Sequence, residues 1–237
     1  MHDNSTSRSF RPALKLHLFT LLAVFLATST VAAQQHDHNQ HGDHGETGPA
    51  ATTDSLSQIK FSFSLQGDNN LTVSASDFRG RYTLVAFGFT HCAHICPVMA
   101  ASMAKVLHAV DTDQHKEPVR SQRLGPEKIS AVFISVDSER DTPAGTAQYA
   151  TAFHPAMIGL SGSYPKIAEA AKNFKASFAV TKTQRNYTVQ HTSHIYLMSP
   201  QGQAIALFPM NITPSQVWRE IDDHHEANHK TPKGEAS

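Results

Sequence analysis

Cysteine is scarce in this chain: Cys92 and Cys96 are the only two in 237 residues. Two thiols cannot staple a scaffold of this size, so stability must come from an ordinary apolar core. An excess of charge of either sign is missing as well. Twenty basic residues balance twenty acidic ones, and nothing in that balance marks a surface for nucleic acid or anionic lipid. A long apolar run is also lacking. Residues 18–27 (LFTLLAVFLA) come nearest, but Thr20 interrupts them and a spanning helix needs about 20 residues. No internal repeat is visible, which excludes solenoid and propeller architectures.

What is present first concerns compartment. Arg8, Arg11 and Lys15 precede the apolar run, and small residues ending in Val31-Ala32-Ala33 follow it. This is the order of an export signal. Residues 1–33 are expected to be that signal, cleaved after Ala33, or an N-terminal membrane anchor, placing the protein in the periplasm or at the outer face of the inner membrane. No adjacent arginine pair marks the twin-arginine route, and no cysteine follows the run to carry a lipid. Residues 34–55 are polar and aperiodic and are expected to be a disordered His-rich linker. His36, His38, His41 and His44 there are among sixteen histidines in the chain. Such imidazoles can gather copper, nickel or zinc, or merely keep a linker soluble. Residues 56–228 form the expected folded domain and residues 229–237 a disordered tail, with His224, His225 and His229 near the junction.

Within the domain, residues 60–65 and 71–76 alternate around Gly67-Asp68-Asn69-Asn70, which predicts an N-terminal β-hairpin. Residues 82–89 (YTLVAFGF) and 129–136 (ISAVFISV) are continuous apolar runs of strand length, as in strands covered on both faces. Between them Met99, Met103, Val106, Leu107 and Val110 have helical spacing, with Pro97 expected at the first helical position and Cys96 at the N-cap. A polar loop over residues 111–127 follows. Asp141 or Thr142 is expected to cap a helix that begins at Pro143 and ends near Phe153. Then come a short strand over 157–160, a helix over 163–174, strands near 193–198 and 203–208 joined by Ser199-Pro200-Gln201-Gly202, and a final helix from Pro214. Short connections and right-handed crossovers make this an α/β fold, a mixed β-sheet with helices on both faces. With cysteines at the end of the first crossover strand, it is a thioredoxin-like domain.

The segment Phe87-Gly88-Phe89-Thr90-His91-Cys92-Ala93-His94-Ile95-Cys96-Pro97 sets two thiols at a strand-to-helix junction. Thiolates there can hold a soft metal or cycle a disulfide, because the unpaired N–H groups and dipole of the first helical turn favour the anion. The plainer alternatives are buried cysteines acting as small apolar side chains, or a structural disulfide. Copper(I) is satisfied by two thiolates and one imidazole. Periodicity does not choose between His191 and His194 as the source of that imidazole.

Three segments, LVAFGFTHCAHICP, FISVDSERDTP and YTVQHTSHIYLMSPQG, resemble the Sco (SCO/SenC) family of copper-binding, thioredoxin-like proteins. They occur in the family's order over roughly residues 59–218. The resemblance implies that Cys92 and Cys96 are thiolate ligands of copper and a redox-active pair able to form a disulfide, and that His191 is the imidazole ligand. It gives Asp137 a role behind the ligands or in contact with a partner. The chain departs from the family at three places. Ala93 and His94 replace Pro and Asp, so His94 is a candidate extra nitrogen donor; Gln190 replaces the aspartate that would orient the imidazole; Ser138 replaces a proline.

The function so implied is a copper chaperone that helps to assemble the copper site of cytochrome c oxidase, its partner being the subunit that carries that site. The alternative is a thiol-disulfide oxidoreductase that keeps the acceptor's cysteines reduced, with Cys92 as nucleophile, Cys96 resolving the mixed disulfide and a thiol-disulfide reductant regenerating the pair. A redox or copper sensor would use the same residues. A peroxidase is disfavoured, since no Thr/Ser-x-x-Cys element is present.

Overall fold

The computed structural model describes residues 53–112 and 129–229. The expected signal, most of the linker, the loop before the second long strand and nearly all of the tail lie outside the described residues. A short helix, α1 (Thr53–Ser57), straddles the boundary drawn at residue 55. After it, Ile59, Phe61, Phe63 and Leu65 are buried while the residues between them face solvent. Only part of this alternating stretch pairs: β1 (Ser64–Gln66) lies antiparallel to β2 (Thr72–Ser74).

The core sheet has five strands in the order β5-β4-β3-β8-β9. β3 (Tyr82–Gly88) is central, parallel to β4 (Ile129–Ser135) and antiparallel to β8 (Ile195–Met198). Every residue of β3 and β4 is buried, as expected where helices cover both faces. β5 (Met157–Leu160) continues the parallel half. β9 (Ala204–Phe208) closes the antiparallel half after the tight Ser199–Gly202 turn, where Gly202 takes a positive φ of 81°.

Alternation along β3 sorts the core into two layers. Leu84 and Ala86 face α2 (Ile95–Asp111), α3 (Pro143–Phe153) and α5 (Pro214–His229) through Met99, Met103, Ala150, Val217 and Ile221. Val85 and Phe87 face α4 (Tyr164–Asn173) through Ile167 and Phe174, together with Phe61, Phe63 and Phe78. Both methionines of α2 are fully buried, so they belong to the core. No helix among the described residues is long and apolar enough to cross a membrane.

One element has no counterpart in the sequence expectations: a separate two-stranded ribbon, β6 (Phe178–Lys182) paired antiparallel with β7 (Tyr187–His191). Its outer face is solvated, so its residues lack the apolar run that marks a core strand. It nevertheless delivers His191.

α3 lies directly on β5, and the close approach falls at Gly159, where an added Cβ would collide with the backbone of Thr146 and Ala147. Backbone cannot swing aside as a side-chain tip can. Gly159→Ala is therefore expected to destabilise the domain by about 1–3 kcal/mol, measured as a lowered urea midpoint.

Candidate metal centre

At the end of β3, Gly88 accepts from the Val136 N–H at 2.8 Å and the chain turns away into the cysteine loop. Gly88 has no room for a side chain: a Cβ would stand 2.6 Å from the Phe133 ring and 3.0 Å from Cys96 Sγ. The loop is tied down by Asp141, whose side chain is fully buried. One of its carboxylate oxygens accepts the Thr90 N–H at 2.7 Å and the Ser135 hydroxyl at 2.6 Å. The other accepts the Thr90 hydroxyl at 2.6 Å and lies 3.2 Å from His91 Nδ1. The helix cap is accordingly Thr142, whose Oγ1 accepts the Gly145 N–H at 3.1 Å.

Helix α2 starts earlier than Pro97 predicts. His94 is the N-cap, Ile95 the first helical residue and Cys96 the second. None of the first N–H groups of a helix has an intrahelical acceptor, so proline fits the third position as well as the first. The sulfur of Cys92 supplies the missing acceptor: Cys96 N–H points to Cys92 Sγ at 3.4 Å. The cap at this helix start is a sulfur.

The two cysteines are free thiols with unlike surroundings. Cys92 is half-buried and Cys96 has no exposed surface. Burial opposes ionisation of Cys92, yet hydrogen bonds from the Cys96 thiol and from the N–H groups of Cys96, His94 and Ile95 outweigh it, and its pKa falls below the ordinary thiol value. Burial, and then the hydrogen bond to Cys92, pushes the Cys96 thiol far up. Loop geometry has made one thiol ready to ionise and the other reluctant.

His191, the last residue of β7, closes the group, with Nε2 3.2 Å from Cys96 Sγ. Its Nδ1 lies 2.9 Å from the Thr192 carbonyl oxygen. A carbonyl can only accept, so Nδ1 carries the hydrogen and Nε2 presents its lone pair to the thiols. A backbone carbonyl thus does the orienting that Gln190 cannot. Burial lowers the His191 pKa, with the carbonyls of Thr192 and Phe87 working the other way, and this favours the neutral, ligating ring. Phe89 packs edge-on at 5.7 Å between ring centroids.

The donor atoms of Cys92, Cys96 and His191 lie within 4.8 Å of one another. Bonds of about 2.0–2.3 Å, such as zinc makes to imidazole and thiolate, span such a group. His94 and His194 are exposed and stand outside it.

Asp137 is fully buried, which removes it as a direct contact for a partner. It accepts from Arg140 Nε and the Tyr187 hydroxyl, both at 2.5 Å. Arg140 in turn lies 3.9 Å from the Tyr187 ring centroid and 5.8 Å from that of Phe89. This stack fastens the ribbon to the loop, and Lys182 with Glu139 adds an exposed ion pair. Asp137 is thereby tied, through Tyr187, to the ribbon that carries His191.

A second set of potential ligands, His108, Asp111 and His154, sits at the far end of α2. His154 Nδ1 accepts the Ala156 N–H at 3.1 Å, so Nε2 carries the hydrogen and faces Asp111 at 3.0 Å. The lone pair of the buried imidazole is already engaged, and the group is a helix-end clamp.

A thioredoxin-like domain with two thiols at the β3–α2 junction and an imidazole facing them carries the donor set of a soft-metal site and the paired thiols of thiol exchange. The family model described as SCO1/SenC matches residues 51–226, and the chain belongs to that family. It is similar to the mitochondrial SCO2 homolog of Bos taurus, 34% identical over 70% of this chain and 59% of the relative. Among solved structures it resembles copper-bound ScoI of Arabidopsis thaliana, at 32% identity and TM-score 0.59, over 70% of this chain and 99% of that one. Copper-bound ScoI of Bradyrhizobium japonicum is similar at 32% identity and TM-score 0.58, over 70% and 98%. The chain spans about half to three fifths of the length of several curated relatives.

Two outcomes are expected from this geometry. Brief alkylation of the reduced, metal-free protein should label Cys92 first, at a pH below the ordinary thiol value of about 8.5, because only the thiolate attacks; peptide mapping over a pH series checks it, and first labelling at Cys96 would contradict the assignment. Asp141→Ala should lower stability by roughly 2–4 kcal/mol in chemical denaturation, since an N–H and two hydroxyls lose a charged acceptor.

Proposed function

We propose that this protein is a copper chaperone in which Cys92, Cys96 and His191 hold one copper ion as cargo. The observation that carries the reading is the His191 lone pair, fixed by its Nδ1–H and set 3.2 Å from Cys96 Sγ. A thiol exchanger has no need of an oriented imidazole; a metal site does. Two thiolates and a neutral nitrogen are a soft donor set suited to copper(I), and two relatives 32% identical to this chain have been solved with copper bound. The half-buried Cys92 offers an edge at which an incoming thiolate can displace one ligand at a time. The acceptor in this reading is the copper site of cytochrome c oxidase. Residues 1–33 deliver the domain to the periplasm or tether it to the outer face of the inner membrane, with residues 34–55 as the linker.

The unlike thiols support a second reading, thiol-disulfide exchange. Cys92 thiolate attacks an acceptor disulfide, forming a mixed disulfide and releasing one acceptor thiolate. Cys96, losing its proton to solvent, then attacks the Cys92 sulfur, releasing the second acceptor thiolate and leaving a Cys92–Cys96 disulfide. An external dithiol reductant must restore the pair.

The two readings part at His191. The reduced full-length protein should retain copper(I) against a competing chelator, and Cys92→Ser, Cys96→Ser or oxidation of the pair should abolish this. His191→Ala should weaken copper(I) retention at least tenfold, the scale of losing an interaction worth about 1.4 kcal/mol or more, while thiol exchange with a model disulfide stays within a fewfold of wild type. Equal loss of both activities would assign His191 to tuning the thiols; unchanged copper retention would remove it from the site.

A further inference from the structure

Among the described residues β7 pairs only with β6, so no ladder to the five main strands fixes where it lies along its own axis. Its residues alternate between half-buried and exposed, and the half-buried Tyr187, Val189 and His191 share one face. Val189 packs on the core, as does Phe178 of β6. Apolar contacts of that kind are non-directional and do not by themselves set a register. Tyr187 makes the directional contact, donating its hydroxyl to Asp137 Oδ1 at 2.5 Å.

The acceptor is anchored just past the end of β4. The Asp137 N–H donates to Ser135 Oγ at 3.1 Å, and the Asp137 carbonyl accepts the N–H groups of Arg140 and Asp141 at 3.3 and 3.0 Å. Arg140 Nε holds the other carboxylate oxygen. The Ser135 hydroxyl in turn donates to Asp141, which ties down the cysteine loop. One serine thus joins the point from which the cysteine loop starts to the point on which the ribbon is docked.

We propose that Tyr187 is a positioning residue for the copper site: its hydrogen bond to Asp137 fixes the register at which β7 presents His191 to the cysteine pair. Tyr187 stands four residues from His191, about 13 Å along the strand, and acts through the strand alone. Without the bond, the metal-free ribbon takes other placements on its apolar contacts. Only the fraction with the imidazole facing the thiols is ready for copper, and the apparent dissociation constant rises as that fraction falls. The inference rests on the copper-site reading above and adds to it a residue that is not a ligand.

Tyr187→Phe removes the hydroxyl and keeps the ring on which Arg140 stacks at 3.9 Å. In the reduced full-length protein, copper(I) retention against a chelator should fall by about tenfold, the scale of one hydrogen bond to a charged acceptor. In a His191→Ala background, with a chelator weak enough to leave the two-thiol form some copper, the same substitution should change retention by no more than about twofold, because the imidazole that it positions is gone. Alkylation of Cys92 in the metal-free variant should follow the wild-type pH profile, since the cysteine loop has its own anchor in Asp141. An equal fall in both backgrounds, or a Cys92 profile displaced along with retention, would overturn the proposal in favour of a general loosening of the domain. Unchanged retention in the single variant, with wild type binding copper, would overturn it alone. Failure of wild type to bind copper would overturn the copper reading and this inference with it.

Discussion

The buried Asp141 carboxylate is the constraint on which the site depends. It lies 51 residues from Thr90 in sequence, yet it accepts both the backbone N–H and the hydroxyl of that residue while also holding Ser135 at the end of β4. Parallel pairing of β3 with β4 brings Gly88 level with Ser135, and the carboxylate converts that register into a fixed starting point for the cysteine loop. A buried carboxylate so fully hydrogen-bonded is costly to move, which makes it a good datum.

From that fixed start, the helix dictates the chemistry. Cys92 falls just outside α2 and takes the place of a capping oxygen, so its sulfur gains stability as an anion from groups that every helix leaves unpaired. Cys96 falls in the first turn of the helix and is sealed against Phe133 and Gly88. The spacing of four residues therefore separates the thiols in reactivity while keeping their sulfurs within one ligand sphere. Neither role needs a charged side chain nearby, which fits a loop where Ala93 and His94 stand between the cysteines.

How much of this was legible in the sequence differs from element to element. β3 and β4 declared themselves because strands buried on both faces must be apolar throughout, and α3 because Pro143 can follow a cap but not interrupt a helix. The start of α2 was misplaced because proline fits any of the first helical positions, and the choice among them falls to a sulfur four residues away. The β6–β7 ribbon was invisible: only alternate residues such as Phe178 and Val189 reach the core, and the rest of its hold comes from Asp137, Arg140 and Tyr187. At the site, the cysteines stood out by rarity, whereas His191 rested on family resemblance, since spacing alone left His194 as good. Asp141 looked like one of two capping residues.

The ribbon pairs with none of the five strands of the main sheet and is docked by side chains, Phe178 and Val189 against the core and Tyr187 against Arg140 and Asp137. Cys96 and His191, 95 residues apart, meet only because it is docked. Under the proposed function, an ion held by both would join the ribbon to the cysteine loop: occupancy would resist their separation, and separation would open the coordination sphere, as reciprocal linkage requires. Such a site would be tightened or loosened through Tyr187, Arg140 or Asp137 without touching a ligand.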